Sequence, residues 1–522
     1  MKLGDLLTAS GYQAVLPLQG LSREVLDIAH DSRKVKQGSL FVAVRGFHSD
    51  GHTFISQALQ QGAVAIIAEE QTLRDTDQAP ILCVPDTRTA LARIAAAFYH
   101  RPSQRLKLIG ITGTKGKTTT SYLVKSIIEA AGLSTGLIGT IDYRVGDRVY
   151  PAPNTTPESL ELQALLAEMV GARAAYCVME VSSHALALGR TESCVFEAAV
   201  FTNLAQDHLD FHKDMGSYFE AKQQLFIGLG ADKTAVINAD EAVSPDIISR
   251  TKATVYTYGM TTAARIHPVQ AIGHTIDGLS FSVDTPSGIV AVTSPLVGRH
   301  NVYNILAAIG VGVSQGFSAE TIGRGIAAMR AVPGRMEKVE EGQPFGVIVD
   351  YAHTEDSLAK LLEAVREVTQ GRIITLFGCG GDRDRTKRPK MGSVVMKKSN
   401  IAIVTTDNPR TEDPLAIIEA IEAGMISAGA RVASAAEAQR GVPGRTPYLV
   451  IADRAQAIAA AIALAKRGDV VVLAGKGHED YQIIGEQKVH FDDREVAREE
   501  IRRSLQKTGN DNNDRRCACT GA

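Results

Sequence analysis

The sequence predicts an α/β protein of three units: a small amino-terminal α/β domain, a central P-loop domain, and a carboxyl-terminal unit built on a parallel sheet. Three observations predict it. Residues 110–120 read Gly-Ile-Thr-Gly-Thr-Lys-Gly-Lys-Thr-Thr-Thr between an apolar run and a helical stretch. From about Leu106, strand-like apolar runs alternate with helical periodicity, the pattern of a sheet covered by helices. Beyond residue 332, four apolar runs each end in a loop bearing Gly or Asp. The length of 522 residues leaves room for three or four cores.

In the first hundred residues the runs Leu40–Val44, Val64–Ala68 and Ile81–Val84 read as strands, and Phe54–Gln61 and Thr89–Tyr99 have helical periodicity. Arg101-Pro102-Ser103 reads as an exit linker, because proline disfavours helix in the residue before it. In the central unit the expected strands are Leu106–Ile111, Tyr176–Val181, Ala198–Thr202 and Thr234–Asn238. Residues 252–297 alternate in a strand-like way, as a β insertion or an antiparallel edge. The helix Val302–Gly316 follows. The third unit carries the runs Gly346–Asp350, Ile373–Phe377, Ile401–Thr405 and Val470–Leu473, and Ala433–Pro447 reads as a loop insertion. The expected boundaries are 1–101, 102–332 and 333–507, with 508–522 a polar, disordered tail.

Composition narrows the function. Hydrophobic residues make up 44% and charged residues 22% of the chain, as in an ordinary globular enzyme. A net charge of −2 leaves no electrostatic footprint for nucleic acid or an anionic membrane. No apolar run approaches a membrane span, and Met1–Leu18 lacks the layout of a signal peptide. Cys83, Cys177, Cys194 and Cys379 sit in apolar or Gly-rich contexts that suit reduced thiols in the cytoplasm, and Cys517 and Cys519 lie in the tail.

The glycine-rich turn is the main chemical signal. A strand, a Gly-rich turn and a helix form a cradle whose backbone N–H groups close on phosphate oxygens. Lys117 adds a point charge and Thr118 a hydroxyl for Mg²⁺. Gly113 serves as the first glycine, because the usual position is occupied by Ile111, so the loop is a shortened variant. ATP or GTP is the expected ligand. Glu180 ends the run Tyr176–Met179, and an acid at a strand end in such a domain is a second anchor for Mg²⁺; the alternative is a helix cap. Asp207, His208, Asp210 and His212 have the spacing of a transition-metal cluster, but beside a phosphate loop they fit Mg²⁺ or phosphate. Lys222 reads on physics alone as a helix-surface lysine. Asn154-Thr155-Thr156-Pro157 is either an anion or hydroxyl site or a cap. Gly378-Cys379-Gly380-Gly381 is too weak a signal for a dinucleotide fold. Arg383 and Arg410 suit carboxylate recognition, since a guanidinium fork pairs two oxygens, or else form a solvated charged face.

Taken together, GTKGKTTT, NTTP, MEVSSHAL, FTNLAQDHLDFH, YFEAKQQLF, GRHNVYN, PGRME, DYAHTEDSL, GCGGDRDRTKRP, DNPRTEDP and AGKGHEDYQ resemble, in order, the motifs of the Mur ligases. With DSRKVKQGSLFVAVRGFHSDGHTF near the start, the resemblance covers about residues 20–500. It implies a UDP-binding first domain, a central ATPase and a Rossmann-like third domain. It also implies an ATP-dependent amide-bond ligase of cytoplasmic peptidoglycan precursor synthesis that works through an acyl phosphate. The best-matching branch adds meso-2,6-diaminopimelate to a UDP-N-acetylmuramoyl dipeptide; a lysine-adding enzyme and a degenerate ATP-binding scaffold are the rivals. Small-molecule substrates and a monomer are expected, with no nucleic acid and no membrane insertion.

Matched residue by residue, the resemblance assigns ATP to Gly113, Thr114, Lys115, Gly116, Lys117, Thr118, Thr119, Asn301, Arg335 and Asp350. It gives Mg²⁺ to Thr118, Glu180, His208 and Lys222, the last as a carbamate (N6-carboxylysine), and makes Lys117, Glu180, His208 and Lys222 catalytic. His30, Ser32, Phe47, His48 and Ser49 match the UDP-sugar site; Asn154, Thr155, Thr156, Ser182, Leu188 and Arg190 match the muramoyl-dipeptide site. Arg383, Asp407, Asn408, Pro409, Arg410, Gly475 and Glu479 match the diaminopimelate site. Leu188 stands where the family often has glutamine and offers no polar contact; Lys115 replaces a frequent asparagine and Glu355 a common proline.

Overall fold

The computed structural model describes residues 1–12, 18–46, 49–69, 79–440 and 446–518. The chain divides into two compact bodies. One comprises Met1–Val269, Ser282–Ala291 and Tyr303–Ala328; the other comprises Gln270–Phe281, Val292–Val302 and Met329–Ala522.

The first body holds two sheets. Strands Asp27–Ala29, Ser39–Val42, Ala65–Ala68 and Ile81–Cys83 pair in parallel, in sequence order. Leu40 and Ile67 join one apolar cluster with helix residues Leu6, Leu91 and Ile94, and Phe41 and Ile66 join another with Ile55 and Ala58. Because both faces are covered, these strands read in sequence as unbroken apolar runs. The expected linker is a short 3₁₀ turn, Pro102–Gln104, entered through Arg101 in the left-handed region at φ 49°.

The central sheet has eight strands. Their spatial order is Thr254–Tyr258, Thr234–Asn238, Phe196–Phe201, Lys107–Thr112, Tyr176–Glu180, Thr135–Ile138, Asp142–Val145 and Arg148–Pro151. The first six run parallel, and the last two close the edge as antiparallel hairpin strands. The strands between 135 and 151 were not legible: Gly136, Gly139 and alternating charges break the apolar signal that marks a buried strand. Of the two alternatives expected for 252–297, the β insertion is found and the antiparallel edge is not, because the edge strand pairs in parallel. Thr254–Tyr258 is a parallel edge strand, while strands between His267 and Ser294 form a small sheet of their own.

The sheet of the second body has seven strands in the order Glu337–Lys338, Gly346–Asp350, Val470–Ala474, Ile373–Phe377, Ile401–Val404, Pro447–Val450 and Arg431–Val432. All pairs are parallel except that of Glu337–Lys338. Ala433–Pro447, expected as a plain loop, contains the helix Ala435–Arg440, and 441–445 lie outside the described residues. The final helix runs Asp493–Ala518, so the expected tail is helical as far as Ala518; 519–522 lie outside the described residues. Extending a helix already nucleated costs little, which carries a polar sequence onward without a core.

Two helices of this body, Lys387–Lys398 and Pro414–Ser427, meet at glycines. A Cβ on Gly424 would lie 1.8 Å from the Pro389 carbonyl oxygen, and one on Gly392 would lie 2.5 Å from that of Ile421. Backbone meets backbone there, so neither side can yield. Gly424→Ala is expected to destabilise the protein by roughly 1–3 kcal/mol. That exceeds the gain in helix propensity of about 1 kcal/mol. Urea unfolding checks it, and an unchanged or raised midpoint contradicts the close approach.

Candidate active site

Strand Lys107–Thr112 leads through the Gly-rich turn into helix Lys117–Ala130. Gly113 has φ +144° and Gly116 φ +85°. A Cβ on Gly113 would lie 1.9 Å from Thr202 Oγ1, and one on Gly116 would lie 2.4 Å from Asn304 Oδ1. Both positions therefore require glycine. The segment after strand Phe196–Phe201 grips the turn. Thr114 N donates to Asn203 O (2.9 Å), Lys115 N to Asn203 Oδ1 (2.9 Å), and Thr202 Oγ1 to Lys115 O (2.7 Å). Lys117 Nζ donates to the carbonyls of Gly113 and Thr114, each at 2.9 Å. Thr118 and Thr119 are buried, and Lys115 is exposed. No side chain caps the helix start at Gly116, which leaves its N–H groups to an anion.

Glu180 is 1% exposed and is surrounded by donors. Thr118 Oγ1 donates to Oε2 at 3.0 Å, Thr140 N to Oε1 at 2.8 Å, and Thr140 Oγ1 to Oε2 at 3.1 Å. It is not a helix cap, since Ser182 caps the following helix by accepting from Ala185 N. Thr156 is not one either: its hydroxyl donates to Glu180 O (2.8 Å) and accepts from Ser182 N (3.0 Å). Thr155 lies 3.1 Å from Thr140 between hydroxyls, and Arg190 donates to Thr156 O at 2.9 Å while pairing with Glu158 at 2.6 Å. Thus Thr118, Thr155, Thr156, Ser182 and Arg190 all gather round Glu180. Asn154 is exposed, and Leu188 closes the helix Ser183–Ala187. A hydroxyl against a buried carboxylate is an all-oxygen donor set, which fits Mg²⁺.

Lys222 departs most from its sequence reading. It is 1% exposed, its Nζ donates to Gly113 O at 2.9 Å, and it lies 4.3 Å from the Tyr218 ring centroid. Burial above all, then the neighbouring Lys117 charge, pushes its pKa down to about 6, with Asp207 opposing. The surface reading is corrected: Tyr218, Ala221, Lys222 and Leu225 form the buried stripe of helix Met215–Ile227. His208, at φ +54°, is half-exposed and stacks edge-on against His184 (4.9 Å) and Tyr218 (6.2 Å). Burial and the flanking His208 and His212 hold His184 down at about 4. The transition-metal alternative finds no support, because no three His, Cys, Asp or Glu side chains converge among the described residues.

In the amino-terminal sheet His30 Nε2 lies 3.2 Å from Glu161 Oε1, Ser32 donates to Gln57 at 3.1 Å, and Ser49 is exposed. Phe47 and His48 lie outside the described residues. In the second body Asn301 Nδ2 donates to Val297 O (2.7 Å), and Arg335 lies 5.2 Å from the Tyr351 ring. Asp350 accepts from Met336 N and Ala352 N, each at 2.8 Å, and burial raises its pKa. At the carboxyl edge of the sheet Arg410, at φ +51°, donates to Gly381 O at 2.8 Å. Asp407, Asn408 and Pro409 are buried, and Asn408 Nδ2 donates to Glu479 Oε2 at 2.9 Å. Arg383 is exposed, and Gly475 has φ +116°.

Residues 25–99, 111–312 and 334–477 match, respectively, the Mur ligase family catalytic domain, the Mur ligase middle domain, and the Mur ligase glutamate ligase domain. Over 483 residues, 91% of this chain and 94% of the relative, it is 47% identical to the UDP-N-acetylmuramoyl-L-alanyl-D-glutamate–2,6-diaminopimelate ligase of Geobacter sulfurreducens. The chain belongs to the Mur ligase family. As a Mur ligase it is an ATP-dependent ligase. The enzyme of that name from Geobacillus thermodenitrificans is 46% identical over 93% of this chain and 96% of its own. A solved structure of a UDP-N-acetylmuramoyl-L-alanyl-D-glutamate–2,6-diaminopimelate ligase superposes with a TM-score of 0.71 at 31% identity, covering 97% of this chain and all of that one. Among the described residues of this Mur ligase, no helix is long and apolar enough to cross a membrane.

Sequence reasoning missed Thr140, Asn203 and Lys476, the last a buried lysine bonded to Asn408 and Glu479. Each lies between helices and strands, where no periodicity marks it. For Lys222 the signal existed, in the spacing 218, 221, 222, 225. Its burial makes a prediction for this Mur ligase. The folded protein keeps Lys222 neutral down to about pH 6, whereas an unfolded lysine is protonated up to about pH 10.4. Unfolding therefore takes up a proton between those values, and stability falls as pH drops through that window. Lys222→Met has no such proton to take up. Its advantage over the wild type should grow as pH falls from about 9 to about 6 and then level off. Denaturant midpoints in bicarbonate-free buffer measure this, and a pH-independent offset contradicts it.

Proposed function

We propose that this Mur ligase joins an amine of meso-2,6-diaminopimelate to the D-glutamate carboxylate of UDP-N-acetylmuramoyl-L-alanyl-D-glutamate. The observation that carries this reading is one sheet edge that holds Arg410, donating to Gly381 O, together with buried Asp407 and Asn408 and the half-buried Glu479 that Asn408 binds. A guanidinium and carboxylates offered by one sheet edge complement a group bearing both carboxylate and ammonium, which is the far end of diaminopimelate. L-Lysine ends there in a bare ammonium, which leaves Arg410 facing like charge. The names of the relatives point the same way.

In this reading a glutamate carboxylate oxygen attacks the γ-phosphorus of ATP, and ADP leaves. The amine then attacks the acyl carbon and loses a proton. The tetrahedral intermediate expels phosphate as its C–O bond breaks, leaving the amide. Two anions must be brought together, so the protein's task is charge screening rather than nucleophilic attack. Lys117 and the N–H groups of Gly113–Thr119 hold the phosphates; Asn301, Arg335 and Asp350 are further ATP contacts. Thr118, Glu180, His208 and Lys222 would hold Mg²⁺, which neutralises phosphate charge when bound. Lys222 is proposed to act as its carbamate: the neutral amine that burial favours attacks CO₂ and sheds a proton, turning a cation into a carboxylate. His30, Ser32, Phe47, His48 and Ser49 take the UDP end of the substrate; Asn154, Thr155, Thr156, Ser182, Leu188 and Arg190 take the dipeptide. Arg383, Asp407–Arg410, Gly475 and Glu479 take diaminopimelate. The enzyme works as a monomer in the cytoplasm.

ADP release tests the reaction: it should be slow with ATP and Mg²⁺ alone and rise when both other substrates are present. Lys117→Ala should lower turnover by roughly 100-fold or more. A variant with wild-type turnover contradicts the role of the loop. For substrate choice, the wild type should strongly prefer diaminopimelate in competition with L-lysine. Arg410→Ala should raise the KM for diaminopimelate about tenfold or more, leaving that for ATP nearly unchanged. Equal use of the two amino acids by the wild type sinks this assignment in favour of the lysine-adding reading.

A further inference from the structure

Lys476 lies in the loop after strand Val470–Ala474 and has no exposed surface. Its Nζ donates to Asn408 Oδ1 and Glu479 Oε2, each at 3.3 Å, and lies 3.6 Å from Asp407 Oδ1. All three partners belong to the proposed amino-acid site. Asp407 Oδ1 is sealed from solvent and has no hydrogen-bond partner, so the ion pair with Lys476 does not saturate it. The charge of the neighbouring Arg454 is matched by its own carboxylate. Arg454 forms a two-pronged pair with the buried Asp493 (2.7 and 2.6 Å) and donates two further N–H groups to the carbonyls of Thr406 and Ala474. Two carboxylates, Asp407 and Glu479, thus share a single lysine. Taken by themselves, Asp407, Glu479 and Lys476 carry one excess negative charge.

Burying a net charge is costly unless a counter-charge arrives, and two excess charges cost more than one. We infer that Lys476 is a specificity-determining positioning residue: it lowers the carboxylate pair to one unit of negative charge, so that the site takes one ammonium together with a carboxylate rather than a bare cation. Lys476 also orients the Asn408 oxygen, which accepts in addition from Ile483 N at 3.0 Å, and thereby turns the Asn408 amide nitrogen toward Glu479. Its role is to set charge and orientation. The inference rests on reading this sheet edge as the amino-acid site.

The test is a charge-compensation cycle on the full-length enzyme, scored as the ratio of kcat/KM for meso-diaminopimelate to that for L-lysine. Lys476→Met leaves two excess charges, Glu479→Gln leaves none, and the double variant restores one. The Lys476→Met ratio should fall roughly tenfold or more through KM for diaminopimelate, with KM for ATP little changed. The double variant should retain more discrimination than Glu479→Gln alone. A merely structural lysine would lower kcat for both amino acids and leave the ratio unmoved. If Lys476→Met does not fold, the charge-balanced double variant against Glu479→Gln carries the comparison. Losses that simply add, or an unchanged ratio in Lys476→Met, overturn the inference. Should Arg410→Ala also leave diaminopimelate kinetics untouched, the fault lies with the site reading; should Arg410→Ala bite while the cycle is additive, only the role of Lys476 fails.

Discussion

A carboxylate almost sealed from water must be surrounded by donors, and Glu180 organises the carboxyl edge of the central sheet around that need. Its oxygens draw in the phosphate-loop hydroxyl of Thr118 and both donors of Thr140, while its main-chain carbonyl accepts from Thr156. Three separate segments are thereby fixed to the end of one strand. Arg190 extends the set by holding the carbonyl of Thr156 and the side chain of Glu158. Losing this one acid would leave Thr118 and Thr140 without their shared acceptor in a buried place, so local geometry and charge fail together.

In the proposed reading, the two bodies recognise their ligands differently. The phosphate loop relies on backbone: glycines that admit Thr202 and Asn304 closely, and a helix start left uncapped. Backbone donors carry no counter-ion and suit a highly charged, freely hydrated ligand. The second sheet edge relies instead on buried ion pairs, Lys476 with Asp407 and Glu479, and Arg454 with Asp493. Such pairs rarely add much stability, but they define geometry and the sign of charge sharply, as discrimination between similar amino acids requires.

How much was legible follows from these differences. The phosphate loop is written in local sequence, because only glycine fits Gly113 and Gly116 and the following helix begins at once. Buried parallel strands such as Thr234–Asn238, Gly346–Asp350 and Ile373–Phe377 were read to the residue, since both faces demand apolar side chains. The hairpin strands of the central edge escaped because a half-exposed, charged edge lacks that signature. Glu180 could be picked out as an acid at a strand end, but its partner Thr140 could not. The contact joins segments 40 residues apart in sequence. Lys222 was misread because a charged residue was assumed to face solvent, although its neighbours fall on a buried stripe. Lys476 sits between glycines, where nothing periodic marks burial.

His208, Asp382 and Arg410 are non-glycine residues at φ +54°, +52° and +51°. The left-handed region costs an ordinary side chain about 1 kcal/mol or more. Glycine at any of the three would relieve that cost, so selection for thermal robustness alone would reward it. Two of these positions, His208 and Arg410, carry side chains that the proposed chemistry uses, and Asp382 accepts from Thr411 beside Arg410. Stability and activity therefore pull in opposite directions at the same few residues. A library ranked by melting temperature would drift toward well-folded, inactive proteins through these positions, and an engineer seeking a hardier enzyme should hold them fixed.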